Sequence, residues 1–78
     1  MFEAKRIDEL AMILGAGGGI EISGAPRHTG DLVALAKAAA AGNAQLHLRG
    51  MAARPVQDLV LIAKAGRGQV MFVDPKPE

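Results

Sequence analysis

The sequence contains no cysteine, tryptophan or tyrosine, and phenylalanine occurs only at positions 2 and 72. Without cysteine there is no disulfide, no thiol nucleophile and no cysteine-ligated zinc or iron–sulfur site. The scarcity of aromatic side chains argues against a surface that stacks nucleic-acid bases. A chain of 78 residues that lacks disulfides relies for its stability on regular packing, a metal or association with another chain.

An excess of charge of one sign is also lacking, because nine lysine and arginine residues balance eight aspartate and glutamate residues. A nearly neutral chain has no strong field to hold nucleic acid along a face, so nucleic acid is not an expected partner. No apolar run approaches the roughly 20 residues of a membrane span. Residues 1–6 lack the apolar core of a secretion signal. We therefore expect a soluble, cytoplasmic protein that has no membrane segment.

Half of the residues are hydrophobic, and they recur in three similar units. Each unit opens with an acidic residue, a leucine and further aliphatic residues, and then passes through small residues and glycine to a short alternating segment. The openings are residues 9–13, 31–35 and 58–62, and the alternating segments are residues 20–23, 45–49 and 69–73. This pattern predicts a helix, a glycine stop and a strand in each unit.

Helical spacing and capping signals place the three predicted helices. Helical spacing predicts the first over residues 3–14. A capping hydroxyl or carboxylate predicts that the second begins at Thr29 or Asp31 and ends at Gly42–Asn43. The third has Pro55 in its first turn and is expected to end at Gly66 or Gly68.

The predicted architecture is a small two-layer α/β domain over residues 1–74, followed by a flexible tail at residues 75–78. Right-handed crossovers place three helices on one face of a three-stranded parallel sheet. Strand alternation then assigns one face to the core and leaves the other polar, apart from Met71 and Val73. The expected core residues of the strands are Ile20, Ile22, Leu46, Leu48, Val70 and Phe72.

More apolar surface is present on the helices and the third strand than two layers can cover. We predict that the uncovered positions form a protein interface. They are Val33, Val60, Leu61, Met71 and Val73.

Residues 35–48 read Leu-Ala-Lys-Ala-Ala-Ala-Ala-Gly-Asn-Ala-Gln-Leu-His-Leu, and this segment resembles the helix-to-strand half of the longer leucine-rich repeats. Strands of that family read Leu-x-Leu and its helices carry Leu-Ala pairs. The asparagine that follows the strand in the family is absent here, and Gly50 and Met51 stand in its place. The resemblance covers the second and third units and implies a protein-binding scaffold rather than an enzyme.

Two patterns that suggest catalysis or nucleotide binding have simpler interpretations. The glycine-rich stretch 15–19 ends a helix and opens a strand, whereas a phosphate-binding loop follows a strand and opens a helix. Glu21, Ser23 and His47 share the open face of the sheet, which offers neither an oxyanion site nor an enclosed pocket. Because His28 and His47 lie on different elements, we expect no metal site. We assign no catalytic residue and no cofactor.

A group of polar residues follows the first and second strands, at the edge where parallel sheets bind ligands. They are Arg27, His28, Thr29, Arg49 and Arg54. Near helix N-termini these side chains suit a phosphate, a carboxylate or an acidic protein surface. The alternative is that they are ordinary solvated loop charges.

Three functions remain open at this stage. The leading hypothesis is an interaction module that binds itself, either as a closed oligomer or as a filament. The alternative is a small regulatory or inhibitory protein that docks an acidic partner or a phosphate-bearing ligand through the arginine-rich rim. An enzyme acting on a phosphorylated small molecule would need a pocket between subunits.

Overall fold

The computed structural model of the protein describes residues 6–73, and within this range helices and strands alternate. The elements are α1 (Ile7–Gly15), β1 (Ile20–Ser23), α2 (Thr29–Gly42), β2 (Leu46–Arg49), α3 (Val56–Gly66) and β3 (Val70–Val73). The strands form one parallel sheet in the order β1-β2-β3. The predicted two-layer α/β architecture is confirmed. The predicted tail, residues 75–78, and the predicted start of the first helix at residue 3 lie outside the described residues.

The helix boundaries agree closely with those predicted, and α3 ends at Gly66 as expected. The predicted capping of α2 by Thr29 or Asp31 was wrong, because the N-cap residue is His28 and, among residues 6–73, no side chain caps this helix end. Pro55 lies at the N-cap of α3, one residue before its first turn.

The helix α2 begins at Thr29 and ends before Asn43, which adopts the left-handed conformation with φ 53°. A left-handed residue also follows α3, but that residue is Arg67, with φ 51°, rather than a glycine. Gly66 is the last helical residue, and a Cβ at this position would collide with the side chain of Val70. Close helix–strand packing therefore explains the glycine at 66.

Two rows of side chains cross the sheet towards the helices. Ile20, Leu46 and Val70 form one row, and Ile22, Leu48 and Phe72 form the other. The four residues from β1 and β2 are buried, as predicted. Val70 is only half-buried. Phe72 is 36% exposed, so its assignment to the core was wrong.

The exposure of Phe72 follows from its place at the end of the sheet. In right-handed crossovers each connecting helix lies over the two strands that it joins. The helix α2 joins β1 to β2, and α3 joins β2 to β3. Within residues 6–73 no helix follows β3, so the outer side of Phe72 remains uncovered.

The middle helix α2 is apolar around most of its circumference because it packs against α1 on one side and α3 on the other. Its buried residues are Leu32, Leu35, Ala36 and Ala39. Val33 is half-buried and packs against the core. The prediction that Val33 is uncovered was therefore wrong, because this residue packs against the core. No helix among residues 6–73 is long and apolar enough to cross a membrane.

Candidate functional site

Arg54, from the loop before α3, lies at the predicted arginine-rich rim and contacts the loop that follows β1. Its Nη1 donates a hydrogen bond to Thr29 Oγ1 at 2.7 Å, and its Nη2 donates to the carbonyl oxygen of Gly24 at 2.8 Å. Nη2 also contacts the carbonyl oxygen of Arg27. Thr29 Oγ1 in turn donates to Asp58 Oδ2 at 3.4 Å. The guanidinium group therefore ties the β1–α2 loop to the start of α3.

Arg49 points away from this group of contacts. Arg49 lies on the open face of the sheet, where its Nε is 3.2 Å from Glu21 Oε2. His28 is exposed at the start of α2, and its side chain does not cap the helix. Arg27 is half-buried, and its carbonyl oxygen accepts from Arg54. The structure thus brings Arg54 and Thr29 together and directs Arg49 towards the sheet face.

The open face of the sheet carries polar side chains on β1 and β2 and the apolar Met71 on β3. Glu21 lies beside His47, and His47 lies beside Met71 in the strand register. At the start of the strands, Gln45 Nε2 donates to Gln69 Oε1 at 3.0 Å. The side chains of this face pair across strands, which is the usual way in which a sheet surface is stabilised. Within residues 6–73 no cluster of three or more metal-binding side chains occurs.

The glycine-rich stretch closes α1. The amides of Gly17 and Gly18 donate to the carbonyl oxygens of Leu14 and Ile13, both at 3.0 Å. Gly17 adopts a positive φ of 99°, a conformation that disfavours side chains. These amides are occupied by the helix end in the manner of a helix stop, so they are not directed at a ligand.

An apolar surface is present on the outer side of α3. Val56 is 71% exposed, Val60 44% and Leu61 55%, and the three residues line one shallow concave surface together with Lys64. We call these three side chains, Phe72 and the outer edge of β3 the α3–β3 face. The surface is open rather than enclosed, which suits contact with a protein better than the binding of a small molecule.

The outer edge of β3 carries main-chain groups that have no neighbouring strand among residues 6–73. The Leu46 amide donates to the Gln69 carbonyl oxygen at 2.9 Å. Because the groups that bond to a neighbouring strand alternate along a ladder, those of Val70 and Phe72 point away from β2. Such an edge is a template for pairing with another strand.

The structure places the predicted interface residues in three different settings. Val60 and Leu61 lie on the α3–β3 face. Met71 is exposed on the open face, and Val73 is half-buried beside Arg49 in the register. Val33 packs against the core.

Sequence reasoning missed Val56 and Phe72 as members of this face. Val56 lies four residues before Val60, a spacing that puts both on one side of a helix and gives a usable signal. Phe72 follows the core alternation of its strand, and alternation alone does not show that β3 ends the sheet.

No protein-family model, curated protein or solved structure matches this chain.

Proposed function

We propose that this protein is an interaction module that binds further copies of itself through the α3–β3 face. The observation that carries the proposal is the incomplete cover of the third unit. Val60 is exposed, although the equivalent residue of the second unit, Val33, is half-buried. Phe72 is exposed, although its equivalent, Leu48, is fully buried. These exposed apolar side chains and the outer edge of β3 belong to the same unit, the last one among residues 6–73, and we expect one contact to cover both.

The size of the chain supports the same proposal. A domain of 78 residues obtains only a few kcal/mol of net stability from its own core, about 3–5 kcal/mol. Covering exposed valine, leucine and phenylalanine side chains adds to the hydrophobic term at roughly 25 cal/mol per Å² of apolar surface. Self-association therefore gives a small domain an additional source of stability.

The proposed scaffold role is also what the resemblance to leucine-rich repeats implies. Its support here is the stacking of three helix–strand units with their strands parallel. In such stacks each unit contacts only its neighbours, and terminal units need a polar outer face to remain soluble. The third unit has an apolar outer face instead.

The alternative role, docking of an acidic partner or a phosphate-bearing ligand at the arginine-rich rim, has weaker support. Arg54 uses its guanidinium on Thr29 and on main-chain carbonyl oxygens of the β1–α2 loop. A ligand at the rim would have to compete with these bonds, because a guanidinium has a fixed set of donors.

Sedimentation velocity tests the proposal over a range of concentrations. We expect the weight-average sedimentation coefficient to rise between about 1 µM and 1 mM, which corresponds to binding free energies of about −8 to −4 kcal/mol. Val60→Glu should remain monomeric, because a charge in the apolar contact is costly to bury. Ala34→Glu is the matched control, since Ala34 occupies an exposed position on the middle helix.

Both variants should keep the helical circular dichroism of the parent. A parent that stays monomeric over the whole range contradicts the proposal. Equal association of the parent and Val60→Glu also contradicts it, because Val60 would then lie outside the contact.

A further inference from the structure

We infer that the contact is head-to-tail: the α3–β3 face of one copy receives the α1–β1 face of the next, so that the sheet continues from β3 to β1 across the boundary. By the α1–β1 face we mean the outer side of α1 and the outer edge of β1. The inference rests on the proposed function, that the α3–β3 face binds a second copy.

The first support is the pattern of burial at equivalent helix positions. Ile13, Leu35 and Ile62 occupy the fifth position of the three similar helix openings. Leu35 and Ile62 are fully buried, but Ile13 is only half-buried. The first unit is thus the one in which this position is incompletely covered, as expected for a unit that no other unit precedes among residues 6–73.

The opposite deficit occurs at the second position of the openings, which is Leu10, Leu32 and Leu59. Leu10 and Leu32 are fully buried, whereas Leu59 is half-buried. Here the incompletely covered residue belongs to the third unit, which has no successor among residues 6–73. The first unit is therefore incompletely covered on the side where another unit would precede it, and the third unit on the side where another unit would follow it. A head-to-tail contact would cover both sides at once.

The second support comes from the edges of the sheet. The Ile20 amide donates to the Gln45 carbonyl oxygen at 3.0 Å, so by alternation the main-chain groups of Glu21 and Ser23 face outward from β1. Those of Val70 and Phe72 face outward from β3. If the outer edge of β3 pairs with the outer edge of β1 of the next copy, the main-chain groups alternate as they do between β2 and β3. Continuing the same register places Phe72 beside Ile22 of the next copy.

The contacts between units within the chain provide the pattern for this contact. The helix α2 packs against α3 in the way that α1 packs against α2, and the strands of successive units pair in parallel. A head-to-tail contact reproduces this arrangement between copies. A two-fold contact between two α3–β3 faces would cover Phe72 but leave Ile13 as it is. We therefore favour the head-to-tail contact, which builds open chains or rings.

Thiol crosslinking tests this geometry, because the described part of the chain holds no cysteine that would interfere and the full sequence has none. In the head-to-tail contact, Met71 lies beside Glu21 of the next copy on the open face of the sheet. A mass-tagged Met71→Cys chain is mixed with untagged Glu21→Cys chain and treated with bis-maleimidoethane. Lys37→Cys, an exposed position on α2, serves as the control partner for each.

We expect the Met71→Cys and Glu21→Cys mixture to give several-fold more crosslinked heterodimer than either mixture with Lys37→Cys. This heterodimer should also exceed, several-fold, the crosslinked homodimer that either variant gives alone. We also expect the parent to grow beyond a dimer with concentration. Crosslinking of Met71→Cys with itself would show a two-fold contact and overturn the inference while the proposed function stands. Association of the parent without any crosslink also overturns the inference alone. A parent that remains monomeric overturns the proposed function and, with it, this inference.

Discussion

Leu48 and Phe72 lie side by side in the register of β2 and β3, yet Leu48 is fully buried and Phe72 is 36% exposed. Both side chains belong to the same row of the sheet and face the helices. The number of neighbouring strands does not explain the difference, because Ile22 of the edge strand β1 is also fully buried. The difference arises because among residues 6–73 no helix follows β3 to cover the outer side of Phe72. The core of the protein thus ends at an apolar residue rather than at a polar one.

This difference predicts unequal costs of truncation in the dilute protein. Leu48→Ala should lower the free energy of unfolding by about 2–5 kcal/mol, the range for a buried leucine. Phe72→Ala should cost less than the roughly 3–5 kcal/mol typical of a buried phenylalanine. Denaturant unfolding at low micromolar concentration measures both values. A larger loss of unfolding free energy for Phe72→Ala than for Leu48→Ala would contradict the incomplete burial of Phe72.

Gly42 of α2 approaches the end of α1 so closely that a Cβ at this position would collide with the carbonyl oxygen of Leu14. Gly42→Ala should therefore destabilise the protein by about 1–3 kcal/mol through overpacking. Gly30→Ala is the matched control, because a Cβ there has no neighbour within 4 Å. It should stabilise α2 by roughly 0.5–1 kcal/mol. Thermal melting compares the two variants, and equal shifts would argue against the close approach of α1 and α2.

Arg54 joins the β1–α2 loop to the start of α3 through several hydrogen bonds. Arg54→Ala should cost about 1–3 kcal/mol, because part-buried acceptors lose their donor. Lysine should restore little of this, since an ammonium does not reproduce the planar fork of a guanidinium. Arg49→Gln serves as the comparison, because the exposed Arg49–Glu21 pair is worth about 0–1 kcal/mol. Chemical denaturation should rank Arg54→Ala well below Arg49→Gln in stability.

At the start of α1, the Arg6 guanidinium donates a hydrogen bond to Asp8 at 3.0 Å and lowers the pKa of that carboxyl below its ordinary value. A lowered pKa in the folded state means that the pair stabilises the protein above the unfolded pKa. That stabilisation is lost as the pH falls through the folded pKa. NMR titration of the Asp8 carboxyl should show its pKa return towards the ordinary value in Arg6→Gln. An unchanged pKa in that variant would exclude Arg6 as the cause.

The order of helices and strands was predictable because each unit repeats a strong local pattern. The alternation of Ile20, Ile22, Leu46 and Leu48 identified the core face correctly. A shift of a strand by one residue would move all of its side chains to the opposite face of the sheet, so the pattern allows one assignment. The exposure of Phe72 was not predictable in this way, because alternation identifies the face of the sheet but not how much of that face the helices cover.

The site was less accessible to sequence reasoning than the fold. The arginine-rich rim was read from sequence position, which places Arg54 near Thr29 but does not reveal that its donors reach main-chain carbonyl oxygens. The left-handed conformation of Arg67 after α3 was also missed, because this conformation was expected at a glycine. Gly66 instead lies inside the helix, where it packs against Val70. Loop contacts of this kind depend on the tertiary arrangement.

The central claim, that the α3–β3 face binds another copy, is tested most directly by amide NMR spectra of the uniformly ¹⁵N-labelled protein at increasing concentration. The spectra detect association and locate it in the same measurement. We predict progressive shifts or broadening at Val60 and Phe72, with the amide of Ala34 on the middle helix unaffected. Spectra that do not change with concentration, or changes confined to the rim around His28 and Arg54, would contradict the claim.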